Sequence, residues 1–237
     1  MSRFDAVLFD LDGTLLYTLP DMRLALNRAL ERFGHPPRTL EEVRSFVGNG
    51  VRRLVERALP PGAEADADGV YRCYSEWYAL HGQEHVEYYP GIRELLAALR
   101  ARGIRTGVVT NKTHADADAM IRRFFGGDVD VTEGKREGRP TKPDPRALRD
   151  AMALLGAGPE RTLYVGDSGV DAETAKNAGV ACALVSWGYR DRAELARCGA
   201  LAVADTAEEL LNLIDAEGSH AGYPSSQAGR DRPEGSE

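Results

Sequence analysis

Hydrophobic positions fall into two kinds of run along this chain. Short, near-continuous apolar runs occupy residues 6–9, 104–110, 162–165 and 180–185, with a weaker one at 201–204. Runs of that length and density predict strands buried on both faces of a sheet. Between them the spacing changes to that of a helix. Ile92, Leu95, Leu96 and Leu99 form one apolar stripe at i, i+3, i+4, i+7, and Leu148, Ala151, Met152 and Leu155 form another. The second of these helices is expected to start with Asp144 as N-cap and Pro145 at its first position, and to stop at Gly156. Strands alternating with helices predict an α/β fold around a mainly parallel sheet.

The alternation breaks between Tyr17 and Tyr88, where helical stripes appear without convincing strands. Leu26, Ala29, Leu30 and Phe33 mark one helix, and Val51, Leu54, Val55 and Ala58 another. A third is expected over 66–80, where Tyr71, Tyr74, Trp77 and Tyr78 share the helical spacing expected of a core stripe. Gly34-His35-Pro36-Pro37 and Pro60-Pro61-Gly62 separate these helices, and Pro90-Gly91 restarts the α/β pattern. The economical division is a discontinuous core, 1–15 and 90–216, with a helical unit at 16–89 inserted after the first strand. Residues 217–237, rich in Gly, Ser, Pro and charge, are expected to be a disordered tail.

Composition narrows the function. Thirty basic and 37 acidic residues leave a net charge of −7, which argues against a nucleic-acid or anionic-membrane partner. Cys73, Cys182 and Cys198 fit neither a disulfide framework nor a zinc cage. Residues 1–5 lack the build of a signal peptide, and no apolar run approaches a membrane span, so a cytoplasmic protein is expected. There are only four lysines, Lys112, Lys135, Lys142 and Lys176, and none falls in the inserted unit.

In a parallel α/β sheet, ligands bind beyond the carboxyl ends of the strands. Asp10 and Asp12 follow the first apolar run, Thr110-Asn111 closes the second, and Asp167 and Asp171 follow the third. Lys142 sits in a proline-flanked loop, Pro140-Thr141-Lys142-Pro143-Asp144-Pro145. Carboxylates gathered at one point repel each other unless a cation neutralises them. An all-oxygen donor set without His or Cys favours Mg²⁺. A carboxylate beside such an ion can attack phosphorus, a second one can shuttle the proton, and hydroxyl, amide and ammonium donors can hold the phosphoryl oxygens. These are the parts that phosphoryl transfer needs.

Asp10-Leu11-Asp12-Gly13-Thr14-Leu15, Val108-Val109-Thr110-Asn111, Lys142-Pro143 and Gly166-Asp167-Ser168-Gly169-Val170-Asp171 together resemble, in order, the four motifs of the haloacid dehalogenase superfamily. The resemblance implies a Rossmann-like parallel-sheet core with an inserted all-helical cap. It implies Asp10 as nucleophile, Asp12 as general acid/base, and Lys142 as the charge that stabilises the intermediate. Thr110 and Asn111 would bind the phosphoryl group. Asp10, the Asp12 backbone carbonyl and Asp167 would hold Mg²⁺, with Asp171 supporting the metal. Two motif-I aspartates point to phosphate chemistry rather than carbon–halogen cleavage, and the lysine-free cap excludes the Schiff-base phosphonatase variant. The cap resembles that of the phosphoglycolate phosphatase-like branch, in which Gly48-Asn49-Gly50 would either touch substrate or simply turn the chain into the next helix.

The implied activity is a phosphatase for a small phosphorylated metabolite, 2-phosphoglycolate first, working as monomer or homodimer. Pyrophosphate, nucleoside monophosphates and sugar phosphates are the alternative substrates, followed by a phosphomutase or a non-catalytic phosphate-binding relative. Two stretches depart from the branch: Tyr17 stands where an aspartate is common, and residues 134–139 differ. Arg52-Arg53 and Arg122-Arg123 read as solvated helix faces, His114 as a surface residue, and His35, His81 and His85 show no ligand spacing.

Overall fold

The computed structural model describes residues 3–216. The tail expected at 217–237 lies outside the described residues. The chain begins with β1 (Ala6–Phe9) and β2 (Leu16–Tyr17), followed by α1 (Leu19–Arg32), α2 (Leu40–Phe46), α3 (Val51–Ala58) and α4 (Ala67–His81). It returns through β3 (Glu87–Tyr88), α5 (Ile92–Ala101), β4 (Arg105–Thr113), α6 (His114–Phe125) and β5 (Val131–Lys135). The remainder is α7 (Arg146–Leu155), β6 (Thr162–Gly166), α8 (Gly169–Ala178), β7 (Ala181–Val185), α9 (Arg192–Leu195), β8 (Ala202–Ala204) and α10 (Ala207–Asp215). No described helix is long and apolar enough to cross a membrane.

Six strands form one sheet in the order β5-β4-β1-β6-β7-β8, every neighbouring pair parallel. The reversal of order at β1 puts β4 on one side and β6 on the other, with Phe9 level with both Val108 and Val165. Successive strand residues face opposite sides, so the sheet feeds two cores. Val7, Phe9, Val108, Leu163 and Val165 pack with α5, α6 and α10. Ala6, Leu8, Val109 and Tyr164 pack with α7 and α8. Each of these leucines, valines and phenylalanines contributes roughly 1.5–3 kcal/mol by leaving water. The first core continues without a break into the helical insertion.

Inside the insertion, Met22, Ala25, Leu26, Ala29 and Leu30 of α1 and Val70, Tyr74 and Tyr78 of α4 are buried in that core. Gly69 makes the close approach possible, because a Cβ there would lie 2.4 Å from the Phe33 ring. Thr39 and Glu42 close a reciprocal capping box at the start of α2.

Several local expectations are corrected. β2 and β3 were not foreseen; they pair antiparallel, Leu16 with Tyr88 and Tyr17 with Glu87, at the neck of the insertion. Tyr17 turns its ring edge to Tyr89, 6.0 Å away, and Tyr89 in turn meets Trp187. β5 was also missed, since its buried positions are Glu133 and Gly134 rather than apolar residues. Glu133 is matched by Arg136 at 2.5 Å and Arg139 at 2.6 Å. β4 runs to Thr113, past the expected end at Thr110, with an irregular register beside β5. α7 begins at Arg146, one residue later than expected, because Pro145 occupies the flanking position. Asp144 still performs the cap's task, accepting from the Arg146 amide at 3.0 Å.

Candidate active site

The carboxyl ends of β1, β4 and β6 converge, and the residues just beyond them meet below the insertion. Asp10 follows β1, and its amide donates to Val165 O at 2.8 Å, which fixes it against β6. Carboxylate oxygens of Asp10, Asp167 and Asp171 all lie within 4.8 Å of one another. Lys142 reaches into this group from its loop, with Nζ 2.9 Å from Asp10 Oδ1 and 2.7 Å from Asp171 Oδ1. Asp171 is saturated by protein donors, taking Ser168 Oγ at 2.6 Å as well as Lys142. Asp171 therefore holds the lysine in place.

Three buried carboxylates against one ammonium leave an excess of negative charge. Burial, reinforced by Asp171 and against the pull of Lys142, pushes Asp10 up to about 6. Burial and the charges of Asp171 and Asp10 push Asp167 up to about 8. Burial pulls Lys142 down, but Asp10 and Asp171 outweigh it and hold its ammonium above the ordinary lysine value. Asp10 Oδ1 is buried, and Lys142 Nζ, shared with Asp171, is the cation beside it. An all-oxygen cluster, over-rich in negative charge with three carboxylates against one ammonium, fits a hard divalent cation. The backbone is shaped around it: Gly13, at φ +89°, sits where a Cβ would be 2.3 Å from Asp167 Oδ2.

Asp12 is brought to the same cavity, but its carboxylate is not part of the three-acid cluster. It accepts from Thr18 Oγ1 at 2.7 Å and faces Lys112 Nζ at 3.1 Å from each oxygen. Thr110 lines the cavity, and its hydroxyl oxygen accepts from the Lys112 amide at 3.3 Å. Asn111 does something the sequence did not suggest. Its Oδ1 accepts from the Lys142 amide at 2.8 Å, while its Nδ2 faces Lys142 O at 3.2 Å and Gly48 O at 3.0 Å. The side chain ties the lysine loop to the insertion. The free amides of α6 are also not beside Thr110, because β4 continues and Thr113 caps the helix through Asp116 N.

The opposite wall comes from the insertion: Met22, Val47, Val51, Leu54, Tyr74 and Tyr78. Gly48 and Gly50 line the cavity, whereas Asn49 turns its Oδ1 to Arg57 at 2.8 Å, outside it. The aromatic group thus divides: Tyr74 and Tyr78 are buried and face the cavity, while Tyr71 and Trp77 are only half-buried. The enclosed volume is about 50 Å³, room for a few waters. Two arginines clasp the walls together. Arg44 donates to Tyr189 O at 2.8 Å, and Arg190 donates back to Arg44 O at 3.0 Å and Val47 O at 2.5 Å.

Sequence reasoning missed Lys112, Tyr164, Tyr189 and Arg190. Tyr164 accepts from Lys142 Nζ at 2.9 Å and lies 2.9 Å from Val109 O, and a tyrosine within an otherwise apolar strand was its signal. Tyr189 donates its amide to Asp167 Oδ2 at 2.7 Å, and its hydroxyl meets Thr18, which holds Asp12. Lys112 directly follows Asn111 in a chain with four lysines, so scarcity marked it without naming a partner. His85, read as having no ligand role, fastens the neck: its amide and Nδ1 meet the buried Asp21 carboxylate at 2.9 and 2.6 Å.

Comparison with known proteins agrees with this geometry. Phosphoglycolate phosphatase 1 of Pseudomonas aeruginosa is 35% identical over 228 residues, covering 88% of this chain and 79% of its own. Phosphoglycolate phosphatase of Rhodospirillum rubrum is 39% identical over 237 residues, covering 96% and 94%. A crystal structure from Lactobacillus delbrueckii subsp. bulgaricus, itself only provisionally described as a phosphoglycolate phosphatase, superposes with a TM-score of 0.85 at 31% identity, covering 91% of this chain and all of that one. Residues 7–185 match the haloacid dehalogenase-like hydrolase family, a span that includes every strand-end residue described above. The chain belongs to the haloacid dehalogenase-like hydrolases.

Proposed function

We propose that this protein is a Mg²⁺-dependent phosphatase that hydrolyses a small phosphomonoester, 2-phosphoglycolate first, through an aspartyl-phosphate on Asp10. The observation that carries the reading is the gathering of Asp10, Asp167 and Asp171, with Lys142 against Asp10 and Asp171 and with Asp12 on the cavity side. The names of the relatives at 35–39% identity support the substrate. Asp10 and Asp167, with the Asp12 carbonyl, would hold Mg²⁺, which supplies positive charge to the phosphoryl oxygens when bound.

Asp10 attacks phosphorus, and the bond from phosphorus to the alcohol oxygen breaks as Asp12 delivers a proton to that oxygen. Water then gives its proton to Asp12 and attacks the same phosphorus, which releases phosphate and restores the Asp10 carboxylate. Lys142 stays in place throughout, held by Asp171 and Tyr164, so its charge needs no rearrangement as the transition state forms. Thr110 donates to a phosphoryl oxygen, and Asn111 sets the height of the Lys142 backbone. The clasped insertion keeps bulk water from the intermediate until the alcohol leaves.

The test is phosphate release from 2-phosphoglycolate, pyrophosphate, AMP and glucose 6-phosphate, each with Mg²⁺ and after EDTA treatment. The expected result is the highest kcat/KM for 2-phosphoglycolate and no turnover without metal. A preference for any other ester rejects the substrate, and turnover in EDTA rejects the ion.

A further inference from the structure

Among the described residues lining the cavity, two carry positive charge: Lys112 and Arg190. The Arg190 guanidinium is committed to the insertion's carbonyls at Arg44 and Val47. Lys112 is placed differently. Its side chain is 4% exposed, and its Nζ has three neighbours: the two Asp12 oxygens, each at 3.1 Å, and the Tyr78 hydroxyl at 2.9 Å. It bridges the two walls, from a strand end of the core to α4 of the insertion. The Tyr78 ring lies alongside, its centroid 4.7 Å from Nζ. Asp116, the other acid on this side, has Oδ2 engaged by Thr113 Oγ1.

We propose that Lys112 reads a second negative charge on the alcohol half of the substrate, and so selects phosphomonoesters with a carboxylate close to the ester oxygen. The inference rests on the roles given above to Asp10 and Asp12. With phosphorus on Asp10, the ester oxygen must lie at Asp12 to receive its proton. The rest of the alcohol then occupies the space bounded by Leu54, Tyr74 and Tyr78. That wall offers apolar surface and one buried ammonium, and the enclosed volume is small. A carboxylate one methylene from an ester oxygen at Asp12 comes within a hydrogen bond of Lys112 Nζ, which already touches the Asp12 oxygens. An ammonium has three N–H donors, so Tyr78 can be kept while the substrate's carboxylate takes over donors now turned to Asp12. A neutral hydroxyl offers the ammonium only an uncharged acceptor, weaker than the Asp12 carboxylate it would have to replace.

The experiment compares kcat/KM for 2-phosphoglycolate and for 2-hydroxyethyl phosphate, similar in size but without the carboxylate, in the full-length wild type and in Lys112→Met. A charge-assisted contact predicts a wild-type preference for the carboxylate of about 100-fold, collapsing to within about threefold in the variant. Lys112→Gln is the second neutral variant, for use if the first does not fold, and carries the same expectation. A preference that survives neutralisation overturns the proposal even if both rates fall, because Lys112 would then act only on Asp12. Equal wild-type turnover of the two esters overturns it while leaving the phosphatase reading intact. Hydrolysis of neither overturns both.

Discussion

The two walls of the cavity are built from different materials. The core wall is polar and over-charged: Asp10, Asp12, Thr110 and Asp167 stand at or near the carboxyl ends of parallel strands, with Asp10 tied to β6 through its amide and Asp167 held by the Tyr189 amide. The wall from the insertion is mostly apolar: Met22, Val47, Val51 and Leu54, with two tyrosines. A sheet end can hold like charges together because the strands are pinned by their neighbours. A helical wall contributes shape, and it meets the charged wall through few polar contacts, Tyr78 with Lys112 and Gly48 with Asn111 among them. Their difference suits the proposed function to a division of labour, in which the core wall carries the charged groups for chemistry and selection, and the other wall closes the cavity and limits its shape.

Substitutions on either side test that division, and Asp10→Asn is expected to be the largest. It should lower kcat by about 10⁴-fold or more in steady-state phosphate release, with the circular dichroism unchanged. Near-normal turnover would remove Asp10 from the chemistry. Lys142→Met should follow, with a loss of about 10²–10³-fold in kcat. It should also destabilise the fold by about 3–5 kcal/mol in urea titration, because Asp10 and Asp171 are left buried without their shared cation. Asp167→Asn should abolish the gain that Mg²⁺ gives the wild type, about 2.7 kcal/mol at a hundredfold excess over Kd, read as a shift in Tm. A full shift in that variant would place the ion elsewhere.

At the clasp between the walls, Arg190→Ala frees two carbonyls of the insertion and should lower kcat/KM about tenfold, mainly through KM. A loss confined to kcat would erase the distinction between the walls. The smallest effect belongs to Asp144→Ala. The side chain and amide of Arg146 draw the Asp144 carboxyl down from 3.8 to about 2. Its folded value lies below its unfolded one, so its contribution to stability is complete above pH 4 and is lost as pH falls toward 2. The unfolding curves of wild type and variant should therefore converge at the acid end.

Legibility in the sequence follows the same division. Buried parallel strands must be nearly all apolar, so β1, β6 and β7 announced themselves, and the aspartates that end two of those runs stood out as charge where none is expected. β5 was silent because an edge strand needs no apolar run, and its buried Glu133 is stabilised by Arg136 and Arg139, close in sequence but outside any apolar pattern. The four ordered motifs gave the core half of the site. What they left out was contact across long sequence separations: Asn111 with Gly48, Lys112 with Tyr78, Arg44 with Tyr189. Tyr17 was noticed as a departure from the family pattern, and its place in an aromatic row at the neck became visible only with Tyr89 and Trp187 beside it.

The two-residue pairing of β2 with β3 has a consequence for how such a protein can be altered. Leu16 and Tyr88 sit side by side, so the long excursion between them leaves and rejoins the sheet at one spot, like a tool on a chuck. The entropy of closing a loop grows only with the logarithm of its length, so the sheet is nearly indifferent to what is mounted there. Everything that the chemistry needs from β1, β4 and β6 is anchored below that spot. A change of length within the excursion therefore costs the sheet little so long as its ties to Asn111, Lys112 and Tyr189 are kept, and new preferences can be fitted between those ties.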